Sequence, residues 1–183
     1  MSSAAPRARR RRAREKYKPG AIRCLLVAEA PPSDDRYFYF EDVRDRDKLF
    51  VHAMKVLFPE EIEKYVGNRS SSRKAAILHS FQKRGFWLID ALEDPIPTGD
   101  SSTASYLQQR SDLLDRLAAL RASGDIKGST PLVIVKAPVY DAFFSLLGAS
   151  GYRVVDERIY FPSNSREPEF ESSFSKVVKS LKL

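Results

Sequence analysis

An apolar run over residues 25–28 leads directly into Glu29 and a pair of prolines, Pro31 and Pro32. A run this short, with a β-branched residue and turn formers around it, indicates a strand rather than a helix. The prolines exclude both further strand pairing and a helix immediately after it. Glu29 is therefore predicted to lie in a rigid loop at a strand's carboxyl end, where α/β proteins place their ligands. An acidic loop residue without a chemical role fits the same pattern. A functional role for Glu29 therefore needs support from a second part of the sequence.

Strand and helix patterns alternate along the chain from residue 22 onward. Predicted strands cover residues 22–28, 86–90, 131–136 and 152–161, the last with a bend at 156–157. Predicted helices cover residues 44–58, 70–83, 104–122, a segment after residue 136, and 170–181. This alternation predicts an α/β protein, a three-layer α/β/α sandwich around a mainly parallel four-stranded sheet. Without internal repeats or a linker, residues 21–183 are expected to form one domain.

The net charge of +7 is concentrated near the start of the chain. The chain has 31 basic and 24 acidic residues. The segment from Arg7 to Lys18 contains eight of the basic residues and one of the acidic residues, so the remainder of the chain has 23 of each. Such a segment predicts a disordered basic arm over residues 1–20 that binds the phosphates of nucleic acid. A solvated tail, a targeting address and nonspecific adhesion to ribosomes are the alternatives. No apolar segment follows the arginines, so a secretory signal is not expected.

Composition excludes several classes of protein. Cys24 is the only cysteine, so intrachain disulfides and cysteine-ligated zinc or iron–sulfur sites are not expected. No apolar run approaches the roughly 18 residues needed to cross a membrane. A glycine-rich phosphate loop, a serine-hydrolase elbow and a metalloprotease helix are also missing from the sequence. Nucleotide-dependent and common hydrolytic enzymes are therefore disfavoured.

Polar and aromatic groups follow each predicted strand, and the carboxyl ends of parallel strands meet at one rim. The first strand is followed by Glu29 and the aromatic run 36–40, the second ends at Asp90, the third at Lys136, and the fourth runs into the loop 161–166. Such a set suits a flat heterocycle held on an aromatic face, with hydroxyls and an arginine on phosphates. Core packing for the aromatics and helix capping for the acid are the structural alternatives.

Taken in this order, the motifs resemble the uracil-DNA glycosylase superfamily over residues 22–181. The loop AEAPPSD, residues 28–34, is similar to the first family motif in its GEAPG form. The strand FWLID, residues 86–90, resembles the one ending in the asparagine that reads the base, with Asp90 at that position. Residues 132–137 are similar to the third family strand. FPSNSR, residues 161–166, is similar to the second motif, in which histidine usually precedes Pro-Ser.

The resemblance implies a monofunctional DNA glycosylase of base excision repair that flips a damaged nucleotide out of DNA. Glu29 would stabilise positive charge on the sugar and orient or activate water, and Asp90 would be the second catalytic residue. The implied base-binding residues are Ala30, Phe38, Tyr39 and Phe40. One of the three aromatic rings would stack on the base. The implied DNA-binding residues are Pro31, Pro32, Lys136, Pro162, Ser163, Asn164 and Arg166. Lys136 as a helix cap is the alternative.

The resemblance further implies a cluster-free branch that needs no metal or cofactor. We expect a monomer without membrane attachment, located in the cytoplasm of a bacterium or the nucleus of a eukaryote, with double- or single-stranded DNA as its partner. His52 and His79 are expected to be structural or surface residues.

Two departures from the family pattern affect the expected substrate. Phe161 replaces the histidine that stabilises the leaving base, and phenylalanine donates no hydrogen bond. Asp90 replaces an amide. An ionised carboxylate only accepts hydrogen bonds, whereas a carboxyl group that burial keeps protonated also donates one. We therefore expect uracil as the base, with hypoxanthine or xanthine as further substrates.

Two other functions compete with this prediction. One is a catalytically silent nucleic-acid-binding member of the same fold. The other is a metal-dependent nuclease built on Glu29, Asp34, Asp35 and Asp90. The acids Asp34, Asp35, Glu41 and Asp42 match no familiar ligand spacing, however, and are more simply a solvated loop. Sensitivity to a chelator separates the nuclease from a glycosylase.

Overall fold

The computed structural model describes residues 4–42, 45, 47–97, 106, 109–163 and 165–183. The strands within these residues are β1 (Cys24–Ala28), β2 (Phe86–Asp90), β3 (Pro131–Ile134) and β4 (Arg153–Val154). The helices are α1 (Ala4–Lys16), α2 (Lys48–Leu57), α3 (Pro59–Gly67), α4 (Ser71–Lys83), α5 (Arg110–Ala122), α6 (Ala137–Ala149) and α7 (Glu167–Ser180). No helix in the described part of the chain is long and apolar enough to span a membrane.

The four strands form one parallel sheet in the order β2-β1-β3-β4. Every residue of β1, β2 and β3 is buried, as expected for parallel strands covered by helices on both faces. The α/β class and the parallel four-stranded sheet are confirmed, and the layers are consistent with a three-layer sandwich. The strand order reverses between β1 and β3, so their carboxyl ends flank a crevice where open α/β sheets bind ligands.

Several element boundaries differ from the sequence prediction. The last strand is reduced to Arg153–Val154, and only a single parallel bridge joins Ile159 to Val135 beyond the bend. Helix α2 begins at Lys48 rather than near residue 44. Helix α3 was not predicted, although Pro59 at its start followed by two glutamates is typical of a helix amino terminus.

The predicted disorder of the basic arm is wrong, because residues 4–16 form α1. The segment just after the helix is held in the core, where Tyr17 is fully buried and its ring stacks 6.1 Å from that of Tyr39. The indole of Trp87 donates a hydrogen bond to the Arg14 carbonyl oxygen, at 3.3 Å. The body is neutral overall, but its acids are placed around α1: Arg7 pairs with Asp94, Arg9 with Asp35, and Lys16 with Glu41. These acids offset the mutual repulsion of the arginines that composition alone would predict to keep the segment unfolded.

A buried ion pair fixes the start of α2. Lys74 is fully buried and donates to Asp47, which immediately precedes α2. Burial raises the pKa of Asp47 to about 6, against the opposing effect of Lys74. Removing one partner of such a pair leaves an unpaired buried charge, so α2 is anchored where it meets the crevice.

Candidate active site at the carboxyl ends of β1 and β3

Glu29 immediately follows β1 and faces the crevice between β1 and β3. The ammonium group of Lys136, from the segment joining β3 to α6, donates to Glu29 Oε2. The hydroxyl of Tyr106 donates to Glu29 Oε1. Both carboxylate oxygens are therefore held, and the Glu29 side chain keeps only 19% of its surface exposed. Tyr106 is buried, and this contact raises its pKa further above the value that burial sets.

The backbone of Lys136 is strained. Its φ of +146° lies in a region that residues other than glycine rarely adopt. Lys136 precedes α6, and its carbonyl oxygen accepts from the N–H groups of Val139 and Tyr140, both at 3.0 Å. Its side chain makes no helix-capping hydrogen bond and instead reaches Glu29, so the sequence-based alternative of a helix cap does not describe the side chain. Strained backbones of this kind cluster at functional sites.

A pocket of about 420 Å³ opens beside Glu29, within the size range of small-molecule sites. Much of its wall is apolar or aromatic, and a few polar groups converge on it. The polar and charged lining residues are Glu29, Arg36, Asp47, Lys48, Asp90, Lys136 and Ser163, and the aromatic ones are Tyr37, Phe38 and Phe161. Lys48 is paired with Glu167 and Arg36 with Asp34, so these two cations are partly neutralised at the rim.

Asp90 ends β2 next to Ala28 and lines the same pocket. Burial raises its pKa to about 6, and the arginines of α1, Arg116 and a hydrogen bond with the Tyr37 hydroxyl act in the opposite direction. Arg116 of α5 donates to the main-chain oxygens of Asp90 at 2.9 Å and of Ala91 at 2.6 Å. The end of β2 is therefore fixed through its backbone, and the Asp90 carboxyl, which bonds to the Tyr37 hydroxyl, lines the pocket.

The structure brings seven of the predicted site residues to one pocket: Glu29, Ala30, Pro32, Phe38, Asp90, Lys136 and Ser163. Pro162, which was predicted to bind DNA, is buried and does not line the pocket. The Arg166 guanidinium packs 4.2 Å from the ring centre of Tyr160 and lies 3.6 Å from Glu169, so it is directed elsewhere. Asn164 lies outside the described residues.

Two of the three predicted stacking rings do not reach the pocket. Tyr39 is buried in the core, where its hydroxyl accepts from the Leu88 N–H at 2.7 Å and donates to the Leu88 carbonyl at 3.2 Å. Phe40 packs beneath Arg9 of α1, at 4.1 Å. A turn closed by the hydrogen bond from the Phe40 N–H to the Tyr37 carbonyl separates these rings from Tyr37 and Phe38, which do line the pocket.

Sequence reasoning missed Tyr37 and Tyr106. Tyr37 lies within the aromatic run, residues 36–40, that sequence analysis placed near the site, but no role was predicted for it. Tyr106 lies 77 residues from Glu29 in the chain, and no local pattern connects the two. His52 bonds to Glu171 at 2.6 Å and His79 packs on Tyr17; neither lines the pocket.

Of the four carboxylates proposed for a nuclease, only Glu29 and Asp90 line the same pocket. Glu29 contacts Lys136, Asp34 contacts Arg36, and Asp35 contacts Arg9. Within the described ranges, no group of three or more His, Cys, Asp or Glu side chains is placed to hold a metal ion.

Comparisons of the chain with protein-family models, curated proteins and solved structures found no match.

Proposed function

We propose that the protein is a monofunctional DNA glycosylase that hydrolyses the N-glycosidic bond of a flipped-out base, uracil and also hypoxanthine or xanthine, in base excision repair. One observation carries the proposal. A carboxylate held by a lysine and a tyrosine, Glu29, opens onto a pocket with an aromatic lining and a buried carboxyl group, Asp90. Breaking a glycosidic bond requires a fixed negative charge beside the sugar and a flat cavity for the base.

Glu29 is suited to stabilise the sugar cation. Its oxygens already accept from Lys136 and Tyr106, so the carboxylate needs no reorientation when positive charge develops. Each carboxylate oxygen has two lone pairs, so one on each oxygen remains for a water molecule. In the proposed reaction that water attacks the sugar carbon as the bond to the base breaks, and Glu29 accepts its proton.

Lys136 is suited to replace the hydrogen-bond donor that Phe161 lacks. Its ammonium nitrogen lies 6.0 Å from the centre of the Phe161 ring, so it reaches the part of the pocket where the family histidine is expected. An ammonium group has three N–H bonds, and the contact with Glu29 uses one. The remaining donors are available to the oxygen of the departing base, whose negative charge they would stabilise.

We expect Tyr106→Phe to lower the rate of base release by roughly tenfold, because a hydrogen bond to a charged group contributes about 1.5–3 kcal/mol and Lys136 retains the carboxylate. The ring still packs 6.1 Å from that of Phe143, so folding should be preserved. Tyr140→Phe is the matched control, since its hydroxyl also donates to a carboxylate, Asp156, away from the pocket. Equal rates for both variants and the unaltered protein would remove Tyr106 from the mechanism.

The function itself is tested with oligonucleotides that carry a single uracil, hypoxanthine or xanthine, both single- and double-stranded. Purified protein is incubated with them in the presence and absence of a chelator, and alkali-labile breaks are measured. Chelator-resistant release of the base supports a glycosylase and identifies its substrate. Strand breaks that form without alkali and disappear with chelator would indicate a nuclease. Binding without base release would favour the catalytically silent alternative.

A further inference from the structure

A second cleft, of about 290 Å³, lies across Tyr37 and Asp90 from the candidate pocket. These two side chains line both cavities and form the partition between them. Pro31 lines the second cleft and Pro32 the pocket, so the rigid loop after Glu29 also separates them. The outer wall of the cleft is α1, which contributes four arginines: Arg7, Arg10, Arg11 and Arg14.

Two of these arginines are already neutralised by the body of the protein. Arg7 pairs with Asp94 and lies 3.3 Å from Glu93. Arg10 lies 3.6 Å from Asp94 and donates to the Glu93 carbonyl oxygen at 3.2 Å. These contacts hold α1 against the loop after β2, and they leave little positive charge for a ligand.

The other two arginines retain unused donors. Arg11 is exposed at the cleft and has no hydrogen bond or ion pair within the described part of the chain. The Nε atom of Arg14 is buried and has no hydrogen-bond acceptor among the described residues; the nearest carboxylate, of the half-exposed Glu15, is 3.8 Å away. A buried N–H without an acceptor is unfavourable, and Arg14, which carries it, lines the cleft.

We propose that this cleft binds a phosphodiester group of the nucleic acid strand whose base occupies the candidate pocket. The planar guanidinium fork matches phosphate oxygens in a bidentate geometry, and Arg11 and Arg14 both line the cleft. The shared partition of Tyr37 and Asp90 places the two ligands side by side. The inference rests on the proposed function only in taking the ligand to be a nucleic acid strand.

This site differs from the flexible arm that composition predicts. A disordered arm would contact phosphates with all of its cations and without regard to position. In the structure most cations of α1 hold the helix to the body, and the free ones have distinct locations. Arg11 lines the cleft, whereas Arg12, also exposed and unpaired within the described residues, lines a separate groove beside Phe40.

Arg11→Gln and Arg12→Gln therefore form a matched pair, since each removes one free charge from adjacent positions of the same helix. Binding of a fluorescent single-stranded oligonucleotide without a damaged base is measured by anisotropy across a salt series, and circular dichroism verifies that α1 is retained. We expect Arg11→Gln to weaken binding and to reduce the slope of log K against log salt by about 0.7, the value for one strand phosphate. Arg12→Gln should leave both unchanged, and Arg11→Lys should keep most of the slope.

The outcomes separate this proposal from the proposed function. If oligonucleotide affinity falls equally in Arg11→Gln and Arg12→Gln, or falls in neither, the cleft is not a phosphate site, even if base release is observed. Loss confined to Arg11→Gln would support the cleft even if no base is released. A thermal-shift titration with inorganic phosphate distinguishes a small-anion site: stabilisation that Arg11→Gln abolishes, with unchanged oligonucleotide binding, would also overturn the proposal.

Discussion

Glu29→Gln is expected to lower the rate of base release by about 10²–10³-fold, the effect typical of losing one fixed electrostatic group in a preorganised site. The amide has nearly the shape of the carboxylate but carries no charge to stabilise a sugar cation. It also presents an NH₂ group to at least one of the two donors, Lys136 and Tyr106, that now contact Glu29. Single-turnover release of uracil from a labelled oligonucleotide measures the effect, and oligonucleotide affinity should change far less than the rate.

Glu41→Gln provides a closely matched control. Glu41 also accepts from a lysine and a tyrosine, Lys16 and Tyr17, but it lies beside α1 and does not line the pocket. Any loss of activity that comes from breaking a Lys–Glu–Tyr contact in general would appear in both variants. Comparable rates for the two variants, both near that of the unaltered protein, would show that Glu29 is not the catalytic carboxylate.

The placement of Glu29 could be predicted because it depends on local signals. An apolar run and two prolines place an acid at the end of a strand, and Asp90 ends a second strand in the same way. Parallel pairing of Ala28 with Asp90 then brings them to one rim. The sequence placed Lys136 at the same rim as Glu29, but not in contact with it. The contact from Tyr106 could not be predicted, because Tyr106 comes from a distant segment and its position depends on tertiary packing.

The positions of the aromatic rings in residues 36–40 and the order of α1 could not be predicted from the sequence. A period-two or helical pattern does not determine which ring of residues 37–40 faces a pocket, because a single turn at Tyr37–Phe40 divides them between pocket and core. Composition predicts α1 to be disordered because it counts arginines without their partners. The acids that hold it, among them Asp35 and Asp94, lie far from it in the sequence and contact it only after folding.

Asp90→Asn is expected to increase uracil release at pH 8 by about 100-fold. Uracil presents an N–H beside a carbonyl oxygen, so its reader must accept one hydrogen bond and donate another. Asp90 does both only when protonated, and burial raises its pKa to about 6. At pH 8, two units above that value, roughly one molecule in a hundred is protonated, whereas an asparagine amide is competent at every pH. The unaltered protein should therefore lose activity on uracil, hypoxanthine and xanthine as pH rises through 6.

The pH profile of single-turnover release measures this effect, and the groups around Asp90 make it interpretable. Tyr37, Arg10, Arg14 and Arg116 act on its carboxyl, and burial raises the pKa of the Tyr37 hydroxyl further away from pH 6. Asp47 lines the same pocket, and its pKa is also raised to about 6. Asp90→Asn leaves Asp47 in place, so a fall in rate that persists in the variant would assign the titration to Asp47. A variant slower than the unaltered protein at pH 8 would show that the pocket uses an ionised Asp90, which only accepts, and therefore selects a base with two adjacent donors.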